Sequence, residues 1–515
     1  MNTRSLSRRG FLGSAAALAG TGPVAAQGAK ILRTRANNNF MVFDPPNRIS
    51  DVNESVMTSI FGGLVRWKPG NEWGWELDLA ASVEQVDPTH IRFQLKPGIP
   101  WSNGFGEVTA ADVKFSYERI ADPAFHASYR TDWDSLDRVD ITDSHAGVIV
   151  LKQPFVPLWT TTMPSGSGLI MCKAAVEKLD GKKFTLDPPA TCGPYRIQRL
   201  EPQRMIVLER NPLWPGTKPA FDEIHYLPIV DSNSAETAFQ AGEIDFTDVP
   251  MSSVPRLRKS PLQHAKLRVS PSLNYWWLGM QSEVGPFADI RVRKAVQLAV
   301  DVDAVIEGAF SGVPDRATGI VAPGLVGHRP ANLVKGPDYA QAKRLLAEAG
   351  FADGLKTTIT VRNSTEFTSA AVIVAGSLAQ AGITAEVVPG DPGAIQAMAT
   401  DKNGGWKKMG ILINRFSSQA DPSWATAWFV SSQIGQWNWE RFANPEFDRL
   451  HDAAKSELDV QKRDAMYIHM QDLMEQSGCY VFLTHGVNAS IAVDGIKVGL
   501  SPDGLRQNFR DYAPA

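Results

Sequence analysis

Residues 357–388 read TTITVRNSTEFTSAAVIVAGSLAQAGITAEVV, which combines two strand patterns with one helix pattern. The β-branched runs Thr357–Val361 and Thr384–Val388 are typical of strands, and Ser369–Gln380 between them predicts a helix. A further strand is predicted over Gly410–Ile413. Strands that alternate with helices favour parallel pairing, so we predict an α/β fold with a parallel or mixed sheet here.

Other segments carry similarly clear local signals. His90–Leu95 alternates apolar and polar residues and predicts a strand. Thr109, followed by an acid at Asp112, is typical of the start of a helix. Three further helices are predicted, at about 290–299, 339–349 and 460–474. The part before residue 270 is richer in short strands and Pro/Gly turns, so the two halves are predicted to be different domains.

Composition places the chain among soluble globular proteins. Its 515 residues are 43% hydrophobic and 21% charged, with a formal charge of -3. The first 26 residues contain three arginines and no acid, so their removal would change the charge to about -6. This balance offers no electrostatic footprint for nucleic acid or for an anionic membrane, and we exclude both as partners.

The N-terminus predicts export. Ser7–Gly13 contains the paired arginines and the Phe-Leu of a twin-arginine signal, followed by an Ala-rich apolar stretch and a small-residue cleavage pattern that ends at Ala26. We therefore predict a signal peptide over residues 1–26. No cysteine precedes Cys172, so no lipid anchor is expected and the mature protein should be free in the periplasm.

Three cysteines, Cys172, Cys192 and Cys479, are too few for a disulfide framework. Cys172 and Cys192 are close enough in sequence for one bridge in an oxidising compartment, and buried free thiols are an equal alternative. Cys479 lies in an apolar run and is predicted to be a core residue.

Signatures of catalysis do not occur. The chain has no His-Glu-x-x-His, no Gly-x-Ser-x-Gly and no phosphate-cradling glycine loop that opens a helix. We therefore expect no catalytic residues, no metal ligands and no cofactor. An exported hydrolase remains the alternative class, because distant residues can assemble a site that no local motif shows.

Seven blocks, in order, resemble the extracytoplasmic solute-binding proteins of family 5, the dipeptide/oligopeptide family. Their matches to that family's motifs extend over nearly the whole chain after the signal. The blocks are Ser59–Trp67, Leu79–Val83, His90–Gly104, Thr109–Ser116, Cys192–Tyr195, Ala241–Asp245 and Asp289–Asp301.

The resemblance implies a two-lobed periplasmic binding protein fold, large, type II and cluster C-like. Lobe 1 would comprise residues 30–272 and 485–515, with an inserted subdomain at about 52–190, and lobe 2 would comprise residues 273–484. The chain would cross between the lobes near Leu273–Trp276 and again near Tyr480–Thr484. A ligand would be enclosed between the lobes by hinge closure.

The function that the resemblance implies is reversible capture of a small organic solute, without chemistry, for an ABC importer. Peptide-like compounds, opines and oligosaccharides are the candidate solutes. The partners would be the permease subunits of the transporter, and a monomer is expected. A periplasmic sensor or chaperone with the same fold is a second alternative.

Aromatic residues are the first candidates for ligand contact, because the chain has 14 tryptophans. Trp276 lies at the predicted crossover beside Trp277, and at most one of these neighbours should face the cleft, since adjacent strand residues point to opposite sides. In Trp437-Asn438-Trp439 both indoles could share one face. A core position is the alternative for each tryptophan. Asn274 and Phe40 complete this set of predicted ligand-binding residues.

The loop Arg415–Pro422 supplies the remaining predicted ligand residues, Ser417, Ser418 and Asp421. In the peptide-binding relatives an aspartate four residues before the corresponding proline captures the peptide's α-ammonium, and here that position is Ser418. Asp421 is better placed to cap the helix that starts at Pro422. A buried ammonium without a charge partner is costly, so the resemblance to peptide binders does not extend to this position.

Overall fold

The computed structural model describes residues 29–515, so the predicted twin-arginine signal lies outside the described residues. In chain order the strands are β1 (Ile31–Ala36), β2 (Gly62–Gly63), β3 (Val65–Trp67), β4 (Trp75–Leu77), β5 (Ala80–Asp87), β6 (His90–Leu95), β7 (Leu136–Asp143), β8 (Ala146–Leu151), β9 (Leu169–Ile170), β10 (Tyr195–Glu201), β11 (Met205–Arg210), β12 (Glu223–Pro228), β13 (Phe246–Val249), β14 (Ala265–Pro271), β15 (Tyr275–Met280), β16 (Leu355–Arg362), β17 (Ile383–Gly390), β18 (Ile411–Phe416), β19 (Tyr480–Thr484), β20 (Val487–Val493), β21 (Ile496–Lys497) and β22 (Ala513–Pro514).

The α-helices of the same residues are α1 (Asp51–Ile60), α2 (Ala110–Ala121), α3 (Lys173–Val176), α4 (Ser232–Gln240), α5 (Val254–Lys259), α6 (Ile290–Ala299), α7 (Val302–Phe310), α8 (Tyr339–Glu348), α9 (Thr365–Gln380), α10 (Pro392–Ala399), α11 (Pro422–Thr426), α12 (Pro445–Ser456) and α13 (Val460–Gln476). Within residues 29–515, none of these helices combines the length and the apolar character that a bilayer crossing requires.

The first lobe is built on a seven-stranded sheet with the order β10-β11-β12-β1-β13-β20-β14. Strand β1 is parallel to both of its neighbours, whereas β20 is antiparallel to β13 and β14. The sheet therefore joins the first described strand, a middle segment and a strand from the C-terminal part of the chain.

The second lobe is built on a five-stranded sheet with the order β17-β16-β18-β15-β19. Strand β16 is parallel to β17 and β18, which confirms the predicted parallel pairing of this region. Helix α9 begins at Thr365, four residues earlier than predicted. The extra turn buries Phe367, whose ring centroid lies 4.3 Å from that of Trp276, so packing against the sheet extends the helix beyond its apolar run.

The inserted subdomain contains a four-stranded antiparallel sheet with the order β5-β6-β8-β7, against which α2 packs. The strand predicted over His90–Leu95 is confirmed as β6. Helix α2 starts with the predicted capping box, in which the Asp112 carboxylate accepts a hydrogen bond of 2.9 Å from the Thr109 backbone N–H. The strand and the helix start predicted for this subdomain are thus both present in the structure.

Asp289 is the N-cap of helix α6, and its carboxylate also pairs with the Arg291 guanidinium at 2.6 Å. Arg293 behaves differently from Arg291. Its guanidinium donates hydrogen bonds to the carbonyl oxygens of Phe287 at 2.6 Å and Ser477 at 2.9 Å, so it holds neighbouring loops rather than an acidic partner.

Cys172, Cys192 and Cys479 are free thiols and all three are buried. Of the two alternatives for Cys172 and Cys192, the structure has the buried thiols. Burial raises the pKa of Cys172 to about 11 and also raises the pKa of Cys192. Both groups therefore stay protonated and unreactive at neutral pH.

Glu440 is a carboxylic acid that lies wholly inside the second lobe. Its Oε1 accepts a hydrogen bond of 2.7 Å from the indole Nε1–H of Trp277, and Gly279 leaves room for it, because a Cβ there would collide with the carboxylate. Within residues 29–515 no Lys or Arg nitrogen lies within ion-pair distance of Glu440. Burial raises the pKa of Glu440 to about 7, so the folded protein keeps this group protonated in mild acid.

Replacement of this acid by its neutral isostere, Glu440→Gln, should stabilise the protein in a pH-dependent way. The folded-state pKa lies above the ordinary value of 4.5, so wild-type stability falls as the pH rises from 4.5 to about 7. The Gln variant escapes this loss and should gain about 3 kcal/mol over wild type near pH 8, and almost nothing near pH 4.5. Thermal unfolding at both pH values measures the difference. Glu386→Gln on the exposed face of β17 is the control, and an equal gain at both pH values would contradict the prediction.

Candidate functional site

Two short connections join the lobes. One runs from Ser272 to Asn274, between β14 and β15, and the other is His485-Gly486, between β19 and β20. A hydrogen bond of 3.3 Å from the Ser272 backbone N–H to the Gly486 carbonyl oxygen holds them side by side. Gly486 has a φ of 69°, a left-handed conformation that favours glycine. The turn of the return connection therefore depends on this residue.

The same edge of the second lobe carries the carboxyl ends of β16 and β18. Strand β15 begins at this edge and runs antiparallel to β18, with Tyr275 opposite Phe416 and Trp276 opposite Arg415. In open α/β sheets, ligands bind beyond the carboxyl ends of the parallel strands. The edge of the second sheet that adjoins the two connections is therefore the expected ligand-binding edge.

A cavity of about 330 Å³ opens at this edge, between the two lobes. We call it the hinge cavity. Its walls are polar, and all of its charged lining residues belong to the first lobe. Its lining residues are Arg48, Ile49, Ser50, Asp51, Glu54, Tyr129, Ser272, Leu273, Asn274, Ser417, Ser418, Gln419, Asp503, Leu505 and Arg506.

Three of the predicted ligand residues, Asn274, Ser417 and Ser418, meet in the hinge cavity. They come from the outgoing connection and from the loop that follows β18. The Ser418 hydroxyl donates a hydrogen bond of 3.2 Å to the carbonyl oxygen of Gln419. These side chains offer hydroxyl and amide groups, which bind polar solutes without supplying a charge.

The first-lobe wall of the hinge cavity is an ion-pair network. Arg506 lies 3.3 Å from both Asp51 and Glu54, and Arg48 lies 3.8 Å from Glu54 and 3.4 Å from the ring centroid of Tyr129. Burial raises the pKa of Asp51 more than the nearby arginines lower it. Burial also acts to raise the pKa of Glu54, but Arg506 and Arg48 outweigh it and the pKa is lowered. The wall carries three carboxylates, with Asp503 as the third, against two arginines, and Arg48 also pairs with Asp132 at 3.3 Å, so the wall holds more acid than base.

A basic pair lies at the carboxyl ends of two strands, on the same edge of the second sheet as the hinge cavity, although neither arginine lines that cavity. Arg362 ends β16, and Arg415 stands two residues before Ser417 in β18. The Arg415 guanidinium lies 5.7 Å from the ring centroid of Trp276. Arg362 donates a hydrogen bond of 3.2 Å to Asn414 Oδ1. Among the described residues neither arginine forms an ion pair, and the buried Nε of Arg415 has no hydrogen-bond partner.

The ionisation of this basic pair reflects its surroundings. Burial lowers the pKa of Arg362, and burial together with the charge of Arg362 lowers the pKa of Arg415. Glu366 opposes this effect on Arg415, to a smaller extent. The pair remains cationic, since the ordinary pKa of an arginine is far above neutral pH. It is therefore a partly desolvated positive site without a matching anion from the described part of the chain.

A second interlobe cavity, of about 630 Å³, lies between the inserted subdomain and the helical part of the second lobe. Aromatic side chains from both sides line it, together with hydroxyl groups and charges of both signs. Its lining residues are Thr131, Asp132, Asp134, Ser135, Lys152, Gln153, Phe155, Pro157, Thr161, Thr162, Ser423, Trp424, Ala427, Trp428, His451 and Lys455. It shares no lining residue with the hinge cavity.

Trp276 and Trp277 point to opposite faces of β15, as predicted, but both are buried. Trp276 packs in the core of the second lobe against Phe310 and Phe367 and is 7% exposed. At the ligand-binding edge it is covered by Arg415, which lies over its ring.

The predicted shared face of Trp437 and Trp439 is wrong. Trp437 packs against Phe416 and Trp428, whereas Trp439 belongs to a separate apolar cluster that includes Leu412. The segment makes turns here and is not extended, so the i, i+2 spacing does not align the two indoles. Neither side chain lines either of the two interlobe cavities.

Three other predicted ligand residues are structural. Phe40 packs against Tyr226 in the core of the first lobe, with ring centroids 5.6 Å apart. Asn438 is wholly buried, and its amide donates to the carbonyl oxygens of Phe429 at 3.0 Å and Phe442 at 2.7 Å. Both side chains are already engaged by packing or hydrogen bonds inside the protein, which argues against direct ligand contact.

Asp421, the third of these structural residues, is also wholly buried. It caps α11 as predicted, by accepting a hydrogen bond of 2.9 Å from the Ser423 backbone N–H. Arg463 contacts both of its oxygens at 2.8 Å. Burial alone would raise the pKa of Asp421, but Arg463 and the hydrogen bonds outweigh it and the pKa is lowered. A carboxylate with these partners is not available to a ligand.

Sequence reasoning missed Arg362 and Arg415. Both lie at the carboxyl end of a predicted strand, and that position was the signal that could have identified them. Among residues 29–515, no group of three or more His, Cys, Asp or Glu side chains is arranged to hold a metal ion. The site as described offers binding groups: a cationic pair, hydroxyls and amides.

Comparison with known proteins places this geometry in a family. The model of the bacterial extracellular solute-binding proteins, family 5 Middle, matches residues 74–437. The glutathione-binding protein GsiB of Salmonella typhimurium is 26% identical over 467 residues, which are 87% of this chain and 87% of that protein.

Solved structures with the same fold include HbpA2 from Haemophilus parasuis, with a TM-score of 0.82 at 22% identity, which covers 94% of this chain and 100% of that chain. MoaA from A. tumefacien R10 in complex with mannopinic acid gives a TM-score of 0.73 at 23% identity, with 95% and 100% covered. The two-lobed α/β fold predicted from the ordered motifs is confirmed. The chain belongs to the bacterial extracellular solute-binding proteins of family 5.

Proposed function

We propose that this protein captures a small, carboxylate-bearing organic solute between its lobes and delivers it to the permease subunits of an ABC importer. Membership of the solute-binding family supports the transport role. The protein would act as a monomer and without chemistry. Its lobes would comprise residues 30–272 with 485–515 and residues 273–484, with the inserted subdomain at about 52–190, and would pivot about the two connections.

The observation that carries the solute class is the basic pair. Arg362 and Arg415 are partly buried and close enough to repel each other, and no carboxylate of residues 29–515 forms an ion pair with either. A carboxylate from the solute would satisfy the free guanidinium groups and relieve this repulsion. Among the relatives, GsiB is named for glutathione and MoaA is in complex with mannopinic acid, and both compounds carry carboxylates.

The hinge cavity argues against ordinary peptides. The resemblance puts Ser418 at the position where the peptide-binding relatives have the aspartate for the α-ammonium group, and this serine lines the cavity. The three acids of the same wall, Asp51, Glu54 and Asp503, lie near arginines. These acids already share arginine partners, so a peptide ammonium would compete with Arg506 and Arg48 for them.

Removal of one charge of the basic pair, in the variant Arg415→Gln, should weaken binding of the solute. Titration calorimetry with glutathione, mannopinic acid and maltose should detect binding only among the two acids, because maltose has no carboxylate for the basic pair. The variant should raise the Kd of the bound compound by about 10- to 100-fold, since one charge-assisted hydrogen bond is lost.

Arg449→Gln, on the exposed face of α12, is the matched control and should leave the Kd unchanged. Binding of maltose as tight as that of the acids, or an Arg415→Gln variant with wild-type affinity, would contradict the proposed solute class.

Introduction of the missing acid, in the variant Ser418→Asp, should create affinity for ordinary peptides. The new carboxylate would face the hinge cavity and supply a partner for the α-ammonium. We expect Met-Leu to bind at least about tenfold more tightly than to wild type by calorimetry. Ser418→Asn adds the same volume without the charge and should not gain affinity. Equal affinity of the Asp and Asn variants would show that the ammonium is held elsewhere.

We also propose export through the twin-arginine pathway to the periplasm, without a lipid anchor. The support is the Arg8-Arg9 pair, followed by Phe11-Leu12. The double substitution Arg8→Lys and Arg9→Lys should leave uncleaved precursor in the cytoplasm, as measured by cell fractionation and immunoblotting. Arg4→Lys, outside the pair, should be exported normally. Undiminished export of the double variant would indicate another route.

A further inference from the structure

Three hydrogen bonds tie the inserted subdomain directly to the second lobe. The Val156 backbone N–H donates to the Lys455 carbonyl oxygen at 2.8 Å, and the Ser456 hydroxyl donates to the Pro154 carbonyl oxygen at 2.9 Å. The third bond runs from the Thr160 hydroxyl to Oδ2 of Asp421 and is 2.6 Å long. Of these three bonds, only the third reaches an ionised side chain.

Asp421 connects this contact to the solute-binding loop. Its Oδ1 caps α11, both of its oxygens contact Arg463, and it follows Ser417, Ser418 and Gln419 of the hinge cavity within four residues. The Asp421 side chain is therefore fixed from three directions: by its own helix, by α13 and by Thr160 of the inserted subdomain. The first two anchors belong to the second lobe, and Thr160 is the anchor from outside that lobe.

We propose that Thr160 is a positioning residue for solute binding: its hydroxyl sets the place of Asp421, and with it the loop Ser417–Gln419, relative to the inserted subdomain. The Arg463 ion pair alone keeps Asp421 charged and buried, but it cannot fix the position of the loop relative to the inserted subdomain, because Arg463 is part of the second lobe. The Thr160 hydroxyl fixes that position, because it belongs to the subdomain. It also removes one unpaired lone pair from a buried carboxylate.

This arrangement makes a specific demand on the side chain at position 160. The residue must carry a donor and must be short enough to lie between Oδ2 of Asp421 and its own helical turn, which spans Leu158–Thr162. Serine keeps the donor, valine keeps the shape without it, and alanine removes both. The three substitutions therefore separate the hydrogen bond from the packing.

The direct test measures hydrogen–deuterium exchange of the whole protein without solute. In Thr160→Val, the amides of residues 417–424 should exchange about tenfold faster than in wild type, because the loop loses its anchor outside the lobe. Thr160→Ser should restore wild-type exchange. Ser456→Ala, which removes a neighbouring interlobe bond, should leave residues 417–424 unchanged. If Thr160→Val is poorly folded, Thr160→Ala provides the same deletion of the hydroxyl in a smaller side chain.

Unchanged exchange at residues 417–424 in both Thr160→Val and Thr160→Ala would overturn the proposal. Faster exchange spread over the whole chain would also overturn it, because it would show a general structural role. A rise confined to the loop, with rescue by serine, supports it.

The consequence for binding rests on the proposed function and is measured separately. With mannopinic acid as the probe, Thr160→Val should raise the Kd about tenfold and Thr160→Ser should not. Absence of mannopinic acid binding in wild type would count against the proposed solute class and leave the exchange result to decide the role of Thr160. A wild-type affinity in Thr160→Val, where mannopinic acid does bind, would overturn the positioning role.

Discussion

The double crossing of the chain between two sheets is the constraint on which the rest of the structure depends. Ser272–Asn274 and His485-Gly486 lie side by side, so β14, β15, β19 and β20 all end or begin at one place. Antiparallel pairing of β15 with β18 then brings the carboxyl ends of β18 and β16 to the same edge. The hinge cavity and the basic pair follow from this arrangement, because both lie where these strands end.

Two nearby residues of one loop, Ser418 and Asp421, have different roles: the first lines the cavity, and the second holds the loop in place. Ser418 lies in the cavity wall, while Asp421, three residues later, is buried under Arg463 and Thr160. The Asp421 carboxylate is already bonded to Arg463 and Thr160, so it cannot take the place of an acid at position 418. Specificity at this loop therefore depends on residue 418, and the shape of the loop depends on residue 421.

The sequence was most informative where a signal is local. The capping box at Thr109, the alternating strand His90–Leu95 and the Asp421 cap are each decided by neighbours a few residues apart, and they appear where they were predicted. The site was harder to predict. Trp276 and Trp439, both proposed to bind ligand, pack in cores, because a large apolar side chain gains more from burial than from a polar cleft. Arg362 and Arg415 come together through β16 and β18 pairing across some fifty residues, which periodicity does not reveal.

The position of β20 has a consequence for the life of the chain before it binds anything. Strand β14 has no sheet partner other than β20, and β1 must wait for β12 and β13. The first sheet therefore stays incomplete on the ribosome until β20 has been made, and the second sheet is itself completed only by β19, which lies two residues before β20. Strands β10, β11, β12, β1 and β13 of the first sheet are all made before the second sheet, so we expect them to pair first and both sheets to be completed late, by β19 and β20. A chain released early would expose an open sheet edge, which makes premature termination an aggregation hazard rather than a mere loss of length.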